Sequence, residues 1–422
     1  DAIGCRVTGE AGDPTLSVVN AGDLRVSSGT RPVGMAVEAT GAFSAPAPGT
    51  LPGDAVFLPV RRELSNEGGL IEVSGGTGAA GMRLGPGAHG VRVENGGEIR
   101  TAGPAPGARG IAVEGADRAF VLNAGILSIA LGTDARGIEL SGSDSVVVNG
   151  NADAVSIPVR GQVLAADGTF PGAFVSLSAA LDFSTDEVAS LSLPGEILVA
   201  GPGAVGIDVQ GDRNYVATFF GNVDAPSPVP VTDLIASGPG AIGVRLSGDD
   251  NTFYNAGNTT GTAYSVLGGD GDELVFNVGF LTGPVALGGG DDVYGFQVGI
   301  SEQPLVDAGS QVGEDVLYAV NVKDVPTQVA NLEGFLDFER FVKAGAERIV
   351  LEGVLDVPEA EVREGVLELA PASVVNGSLT CFFDTTLAGT GIVVGDVLGQ
   401  RVDHHHRETP PAEGHGLFEH TG

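Results

Sequence analysis

Two glycine-rich, acidic stretches offer the clearest opportunity for chemistry in this sequence. LGGDGDELVF begins at Leu267 and LGGGDDVYGF begins at Leu287, so the two match at an offset of about 20 residues. Both are close to the calcium-binding nonapeptide pattern GGxGxDxUx, in which glycine turns present carboxylate oxygens to the ion. Glu273 stands where that pattern has Asp, whereas Asp292 keeps the expected position.

The spacing of these stretches argues against a calcium site. Calcium takes about six to eight oxygen ligands, and calcium rolls repeat the motif about every nine residues, so that facing turns share each ion. Here the motif occurs once in about 20 residues, which supplies few ligands per turn. We therefore predict tight turns, in which Gly adopts positive φ and Asp caps the backbone. A calcium-dependent adhesin stays open as an alternative.

Neighbouring carboxylates could also cleave polysaccharides. Glycoside hydrolysis uses two carboxyl groups that flank one bond, and the sequence offers the pairs Asp249–Asp250 and Asp291–Asp292. Adjacent side chains on a β-strand point to opposite faces, so neither pair would face one substrate. The chain also has no Trp to line a sugar groove. A polysaccharide-acting β-helix enzyme is therefore the alternative and not the first expectation.

Histidine, which a Ser–His–Asp triad requires, is rare before the C-terminal tail. His89 is the only His before residue 400, and no GDSG stretch occurs, so a hydrolytic triad is not expected. Imidazoles in the tail could bind a transition metal, but no ligand spacing such as HxxxH is present. We predict no catalytic, cofactor-binding or metal-binding residue in this chain. The tail residues are His404, His405, His406, His415 and His420.

The acidic balance of the chain excludes several classes of partner. It has 21 basic and 54 acidic residues, a net charge of −33, so nucleic acid and anionic membranes would be repelled. No stretch reaches the ~18–20 uninterrupted apolar residues of a membrane-spanning helix, so no membrane insertion is expected. The 68 Gly and 24 Pro accompany 42% hydrophobic residues, which indicates a folded chain that turns often.

A short alternating phrase recurs along the chain and predicts the elements that would position these residues. Gly followed by apolar residues at alternate positions is typical of a β-strand with one buried face. A companion phrase that starts near Asn, such as NAGILSI from Asn123, lies between the copies. The copies of the first phrase are GMAVEATG (Gly34), GMRLG (Gly81), GVRVENGG (Gly90), GIAVEG (Gly110), GIELSG (Gly137), GIDVQG (Gly206) and GVRLSG (Gly243).

Short strands, glycine-rich corners and this period predict an all-β fold, a parallel β-solenoid with roughly 20-residue coils. In that register Phe276 would stack on Phe296 in the next coil, with both rings buried. Residues 1–330 would form the solenoid, and breaks in the period at 41–70 and 158–195 are interpreted as loop excursions from it. Residues 331–400 are expected to add further coils, and 401–422 to form a tail.

These repeats resemble the passenger domains of bacterial autotransporters (type V secretion) of the β-helix type. NLEGFLDFERFVKAGAERIVLEG, from Asn331, and GVLELAPASVVNGSLT, from Gly365, resemble the last passenger coils before the export barrel. The resemblance implies a right-handed parallel β-helix, export through the outer membrane, and an extracellular or cell-surface location. It implies no activity, since passengers include adhesins, proteases and esterases. Residues 401–422 depart from the family pattern.

We therefore predict a non-catalytic, exported β-solenoid with a structural or adhesive role. Its partners would be a ligand on a host or cell surface, or further copies of itself joined end to end into filaments. Cys5 and Cys381 lie near opposite ends of the chain, so a bond between successive copies is one expected use of them. Two reduced, buried thiols are the other expectation.

Overall fold

The computed structural model is all-β throughout the residues that it describes, as the sequence predicts. These are residues 3–10, 17–27, 29–40, 63–130, 132–150, 156–157, 175–176, 195–219, 233–299, 304–309, 313–321 and 325–399. These ranges contain no helix, and hence no helix that could cross a membrane. The predicted tail at 401–422 and most of the predicted excursions at 41–70 and 158–195 lie outside the described residues.

The strands are short, and Gly, Asn and Asp stand at many of their ends. The first twenty are β1 (Ile3–Glu10), β2 (Ser17–Asn20), β3 (Leu24–Ser27), β4 (Val33–Thr40), β5 (Glu63–Asn66), β6 (Leu70–Ser74), β7 (Ala80–Leu84), β8 (Arg92–Asn95), β9 (Glu98–Ala102), β10 (Arg109–Glu114), β11 (Phe120–Asn123), β12 (Ile126–Ile129), β13 (Arg136–Ser141), β14 (Val146–Asn149), β15 (Ser156–Ile157), β16 (Val175–Ser176), β17 (Glu196–Ala200), β18 (Val205–Gln210), β19 (Tyr215–Phe219) and β20 (Asp233–Ser237).

The remaining strands lie between residue 242 and the end of the described chain. They are β21 (Ile242–Ser247), β22 (Asn251–Ala256), β23 (Asn258–Gly261), β24 (Tyr264–Leu267), β25 (Glu273–Asn277), β26 (Phe280–Thr282), β27 (Val285–Ala286), β28 (Val293–Gln297), β29 (Val306–Asp307), β30 (Val316–Val320), β31 (Thr327–Asn331), β32 (Phe335–Leu336), β33 (Arg340–Ala344), β34 (Arg348–Glu352), β35 (Val354–Val362), β36 (Val366–Leu369), β37 (Val374–Cys381), β38 (Thr386–Gly389), β39 (Ile392–Val394) and β40 (Val397–Gly399).

The chain divides into two compact units. Unit 1 comprises Asp1–Phe296, Ile300–Asp315 and Gly334–Asp337, and unit 2 comprises Gln297–Gly299, Val316–Glu333 and Phe338–Gly422. Both are built from parallel sheets in which sequence-distant strands lie side by side, which is the arrangement of a parallel β-solenoid.

Three parallel sheets form unit 1, and successive strands visit them in turn. Sheet A has the order β1-β4-β7-β10-β13-β18-β21-β24-β27-β29-β32. Sheet B runs β2-β5-β8-β11-β14-β19-β22-β25-β28, and sheet C runs β3-β6-β9-β12-β17-β20-β23-β26. Each coil of the solenoid therefore contributes one strand to each sheet until sheet C ends at β26. The small hairpin β15–β16 is antiparallel and stands apart from these sheets.

Stacked apolar rows make the core of unit 1. Ile111 pairs with Ile138 in sheet A, and Leu127 with Ile197 in sheet C, and all four side chains are fully buried. Each such burial contributes about 1.5–3 kcal/mol. The glycine that opens the repeated phrase is required by this packing, because a Cβ on Gly81 would lie 2.2 Å from Ile99 Cγ2.

The coils differ in length, which corrects the uniform 20-residue period. Equivalent side chains on successive early coils lie 29, 28 and 26 residues apart, whereas later spacings are 22 and 19. The phrase at Gly90 caused part of this error: it leads into β8 of sheet B, whereas the phrase at Gly110 belongs to β10 of sheet A. The step between them is therefore a passage between sheets and not a coil.

The pairing of β25 with β28 corrects the predicted contact between two phenylalanines. Phe276 lies opposite Gly295, and Phe296 lies opposite Asn277, so the two rings project from opposite faces of the sheet. Both rings are buried, as predicted. Phe276 stacks on Tyr254 of the preceding coil, with ring centroids 6.0 Å apart, and Phe296 contacts Phe335, with centroids 5.1 Å apart.

Two parallel sheets form unit 2. The first contains β30, β33, β35 and β37, and β39 and β40 lie end to end along the edge of β37 that faces away from β35. The second has the order β31-β34-β36-β38. Lys343 is fully buried in β33, and its ammonium donates to the carbonyl oxygens of Gly345, Glu347 (2.7 Å) and Glu364 (2.6 Å). Burial lowers the pKa of Lys343 to about 8.

Candidate functional site

The acidic residues singled out in the sequence meet in one row of turns in unit 1, here named the acidic turn stack. Each of these turns follows a sheet A strand, and each starts with Gly. Because the strands stack, the same turn position recurs beside itself in every coil. In the described chain the turns are residues 142–145, 211–214, 248–251, 271–273, 290–292 and 313–315.

An outer ladder of carboxylates joins successive turns. The amide N–H of Asp249 donates to Asp212 Oδ1 (3.0 Å), and that of Asp272 donates to Asp249 Oδ1 (3.0 Å). The Asp291 N–H then donates to Asp272 Oδ1 (2.8 Å), and the Glu314 N–H to Asp291 Oδ1 (3.1 Å). Each carboxylate thus caps a backbone donor of the next coil, which is the capping role that the sequence predicts.

An inner ladder runs beside the first in the opposite sense, and its side chains are buried. The Asn214 N–H donates to Asn251 Oδ1 of the next coil (3.0 Å). The Glu273 N–H donates to Asp292 Oδ1, and the Asp292 N–H donates to Asp315 Oδ1, both at 2.7 Å. These contacts satisfy amides that the corner would otherwise bury without partners.

Glu273 differs from the other members of the inner ladder in its protonation. Burial, reinforced by the negative charge of Asp292, raises the pKa of the Glu273 carboxyl to about 10. This side chain is therefore neutral at pH 7 and stands beside a carboxylate that accepts the Glu273 amide. A proton on one of two adjacent buried carboxyl groups avoids a pair of buried anions, which would repel each other.

Three carboxylates of the acidic turn stack converge. Oxygens of Asp249, Asp250 and Asp272 all lie within 4.8 Å of one another. The prediction that Asp249 and Asp250 face opposite ways is wrong, because they occupy a turn and not a strand, and Asp250 has φ 56°. Asp291 and Asp292 do separate, with Asp291 exposed and Asp292 buried. The cluster is the place where a cation could bind, although calcium takes about six to eight oxygens.

The sequence pattern does not predict a buried ladder of asparagine side chains that the structure shows. In sheet B the Asn66 side-chain amide donates to Asn95, Asn95 to Asn123, and Asn123 to Asn149, each at 2.8 Å. All four side chains are buried. The signal in the sequence is the Asn that ends each of β5, β8, β11 and β14. The alternating pattern alone places this Asn at the start of the following strand. Side-chain amides suit this role because each both donates and accepts.

Buried charge elsewhere in unit 1 also joins coils. Asp208 is fully buried in sheet A and accepts from Arg136 (2.6 Å) on one side and Arg245 (2.6 Å) on the other. Burial opposes ionisation, but the two guanidinium groups outweigh it and hold the pKa of Asp208 below its usual range. The arrangement matches a structural ion pair with satisfied partners.

In the described chain, His89 and the two cysteines occupy positions within the strands and corners of the fold. His89 Nδ1 accepts the amide N–H of Asp117 (2.9 Å), so this imidazole nitrogen is occupied by a corner of the fold. Cys5 lies in β1 of unit 1 and Cys381 in β37 of unit 2, and both are unbonded and half-buried. Burial raises the pKa of the Cys381 thiol, which lowers its reactivity. The five tail histidines lie outside the described residues.

Comparisons with protein-family models, with curated proteins and with solved structures found no significant match for this chain. The likeness to autotransporter passengers therefore rests on the quoted sequence stretches alone.

Proposed function

We propose that this chain is a non-catalytic β-solenoid with a structural or adhesive role, exported and held outside the cell or on a bacterial cell surface. The acidic turn stack is the observation that carries the proposal. Its carboxylates, which would be the acid and base of an enzyme, cap backbone amides of neighbouring coils. A carboxylate engaged in this way stabilises the coil-to-coil contact, and each such hydrogen bond is worth about 1 kcal/mol.

The asparagine ladder and the Asp208 ion pairs support the same role. These polar groups would raise the free energy of the fold if they were buried without partners. Their hydrogen bonds between coils fix the register at positions that repeat from coil to coil. The extracellular or surface location follows from the resemblance to autotransporter passengers, and the net charge of −33 favours solubility in that setting.

An assay for polysaccharide cleavage tests the non-catalytic role. The full chain is incubated with neutral and acidic polysaccharides, and new reducing ends and unsaturated products are measured. We expect no product above the blank, with the Asp250→Asn variant as the matched control. Product formation by the wild type that disappears in Asp250→Asn would establish an enzyme and overturn the proposal.

The convergence of Asp249, Asp250 and Asp272 favours one second candidate, a calcium-dependent adhesin. In that case an ion would link the turns of adjacent coils, and the stability of the chain would depend on calcium.

A further inference from the structure

The last described strands of unit 2 lie at the edges of its two sheets, and each pairs with a neighbouring strand on one side. This terminal edge consists of β38 (Thr386–Gly389), β39 (Ile392–Val394) and β40 (Val397–Gly399). β38 pairs with β36, and β39 and β40 pair with β37, while no other described strand pairs with them. Within the described chain, their outward backbone donors and acceptors therefore have no strand partner and could accept another strand.

Apolar side chains cover this edge. Ile392 is 56% exposed, Val394 58%, Val397 41% and Leu398 56%. Natural sheet edges usually carry Lys, Pro or a bulge that prevents further pairing. Residues 385–399 contain no Lys, Arg or Pro. An uncovered edge of this composition is suited to adding a strand.

Charge indicates which strand it adds. Asp396 is the one charged residue in 385–399, although the chain as a whole carries −33. Two copies of such a chain repel each other over most of their surfaces, and the repulsion is least where the local charge is least. The terminal edge is therefore the place where a second copy can approach at the lowest electrostatic cost.

Symmetry indicates how that copy would be oriented. Strands β1, β2 and β3 open three sheets in unit 1, whereas the terminal edge closes two sheets in unit 2, so these edges do not match strand for strand. An edge always matches itself about a two-fold axis, because antiparallel pairing sets each donor against the equivalent acceptor. We infer that two copies of this chain dimerise tail to tail through antiparallel pairing of their terminal edges. This inference rests on the proposed structural role and names a second copy of the chain as the partner.

Sedimentation velocity on the full chain tests the dimer over about 1–100 µM. We expect a monomer–dimer equilibrium that salt shifts toward dimer. Ile392→Lys and Leu398→Lys place charge on the edge and should weaken the dimer by about tenfold or more. The control is Ile126→Lys, which puts the same charge on a 39% exposed residue of β12, a strand paired on both sides. This control should dimerise like the wild type.

Cross-linking tests the two-fold axis itself. In a chain carrying Cys5→Ser and Cys381→Ser, Val394→Cys and Val397→Cys together should form a disulfide-linked dimer on mild oxidation, because a two-fold axis at the middle of the edge sets Val394 of one copy opposite Val397 of the other. Dimers without this cross-link, or polymers longer than dimers, would indicate head-to-tail contact and overturn the inference. A wild type that stays monomeric would also overturn it and show that something else, such as the chain after Gly399, covers the edge. None of these outcomes bears on the non-catalytic role, which the polysaccharide assay tests separately.

Discussion

Glu273 shows how one residue of the acidic turn stack departs from its neighbours. Asn251, Asp292 and Asp315 hold equivalent positions and accept an amide from the coil before them. Glu273 is one methylene longer than Asp, is fully buried, and has a pKa of about 10. A buried acid of this kind binds a proton in the folded state at pH values where the unfolded chain has lost it.

The contribution of Glu273 to the stability of the protein should therefore fall as pH rises. Below the ordinary value of 4.5 the Glu273 carboxyl is protonated in both states, so its contribution is fully present. Between that value and the folded pKa of about 10 the unfolded chain gains free energy by ionising, so the contribution is lost progressively. Glu273→Gln keeps the shape and stays neutral, and should stabilise the fold relative to the wild type by several kcal/mol at pH 8, up to about 5 kcal/mol.

Denaturant unfolding of the two proteins at several pH values measures this effect. The wild type should lose stability between pH 5 and pH 9 relative to Glu273→Gln, and the two curves should converge near pH 4. The matched control is Glu314→Gln, because Glu314 occupies an exposed position of the stack. A Glu273→Gln variant whose pH dependence equals that of the wild type would show that Glu273 is ionised in the fold.

At the scale of elements, turn chemistry and not sequence identity sets the register. Matching identical letters places Phe276 over Phe296, but the caps place Glu273 beside Asp292, 19 residues on. The sequence predicted strands and corners because alternation and glycine are local signals. It could not predict the pairing between coils, since a slip of one residue leaves both strands equally apolar and only the hydrogen bonds of the turns decide between the registers.

The contact between Phe276 and Gly295 gives this register a direct test. A Cβ on Gly295 would lie 2.3 Å from Phe276 Cδ2, so the ring occupies the space of the missing side chain. Gly295→Ala should cost about 1–3 kcal/mol, and Phe276→Ala about 3–5 kcal/mol. The double variant should cost less than the sum by more than about 1 kcal/mol, since removing the ring admits the methyl group.

Equilibrium unfolding of the four proteins in this cycle supplies the coupling energy. Phe253→Ala is the control partner for Gly295→Ala, because Phe253 pairs with Val275 and so projects from the face opposite to Phe276. Its cycle should be additive within about 0.5 kcal/mol. Additivity in the Phe276 cycle as well would contradict the 19-residue register.

At the scale of the whole molecule, composition and repeats were enough to predict the fold class but not the number of sheets. Early coils of 26–29 residues and later coils of 19–22 residues all supply strands to three sheets, so coil length did not reveal the number of sheets. A strand of sheet C, such as the alternating ILSI of β12, has the same pattern as one of sheet A, so the sequence does not separate them. The convergence of Asp249, Asp250 and Asp272 was equally hidden, because it depends on the turn conformation at Asp250.

The response of the chain to ions distinguishes a structural scaffold from a calcium-dependent adhesin. With a net charge of −33, self-repulsion destabilises the compact state, so NaCl should raise the melting temperature, and calcium and magnesium should do the same at matched ionic strength. EDTA followed by dialysis should leave the melting temperature unchanged, because the Asp249 and Asp272 carboxylates act as backbone caps. The control variant changes Asp249, Asp250 and Asp272 together to Asn. Each Asn retains an acceptor oxygen, and the variant loses three negative charges. The variant should therefore have a higher melting temperature than the wild type at low salt. A melting temperature that EDTA lowers and micromolar calcium restores, in the wild type but not in the triple variant, would place a calcium ion between these turns and favour the adhesin.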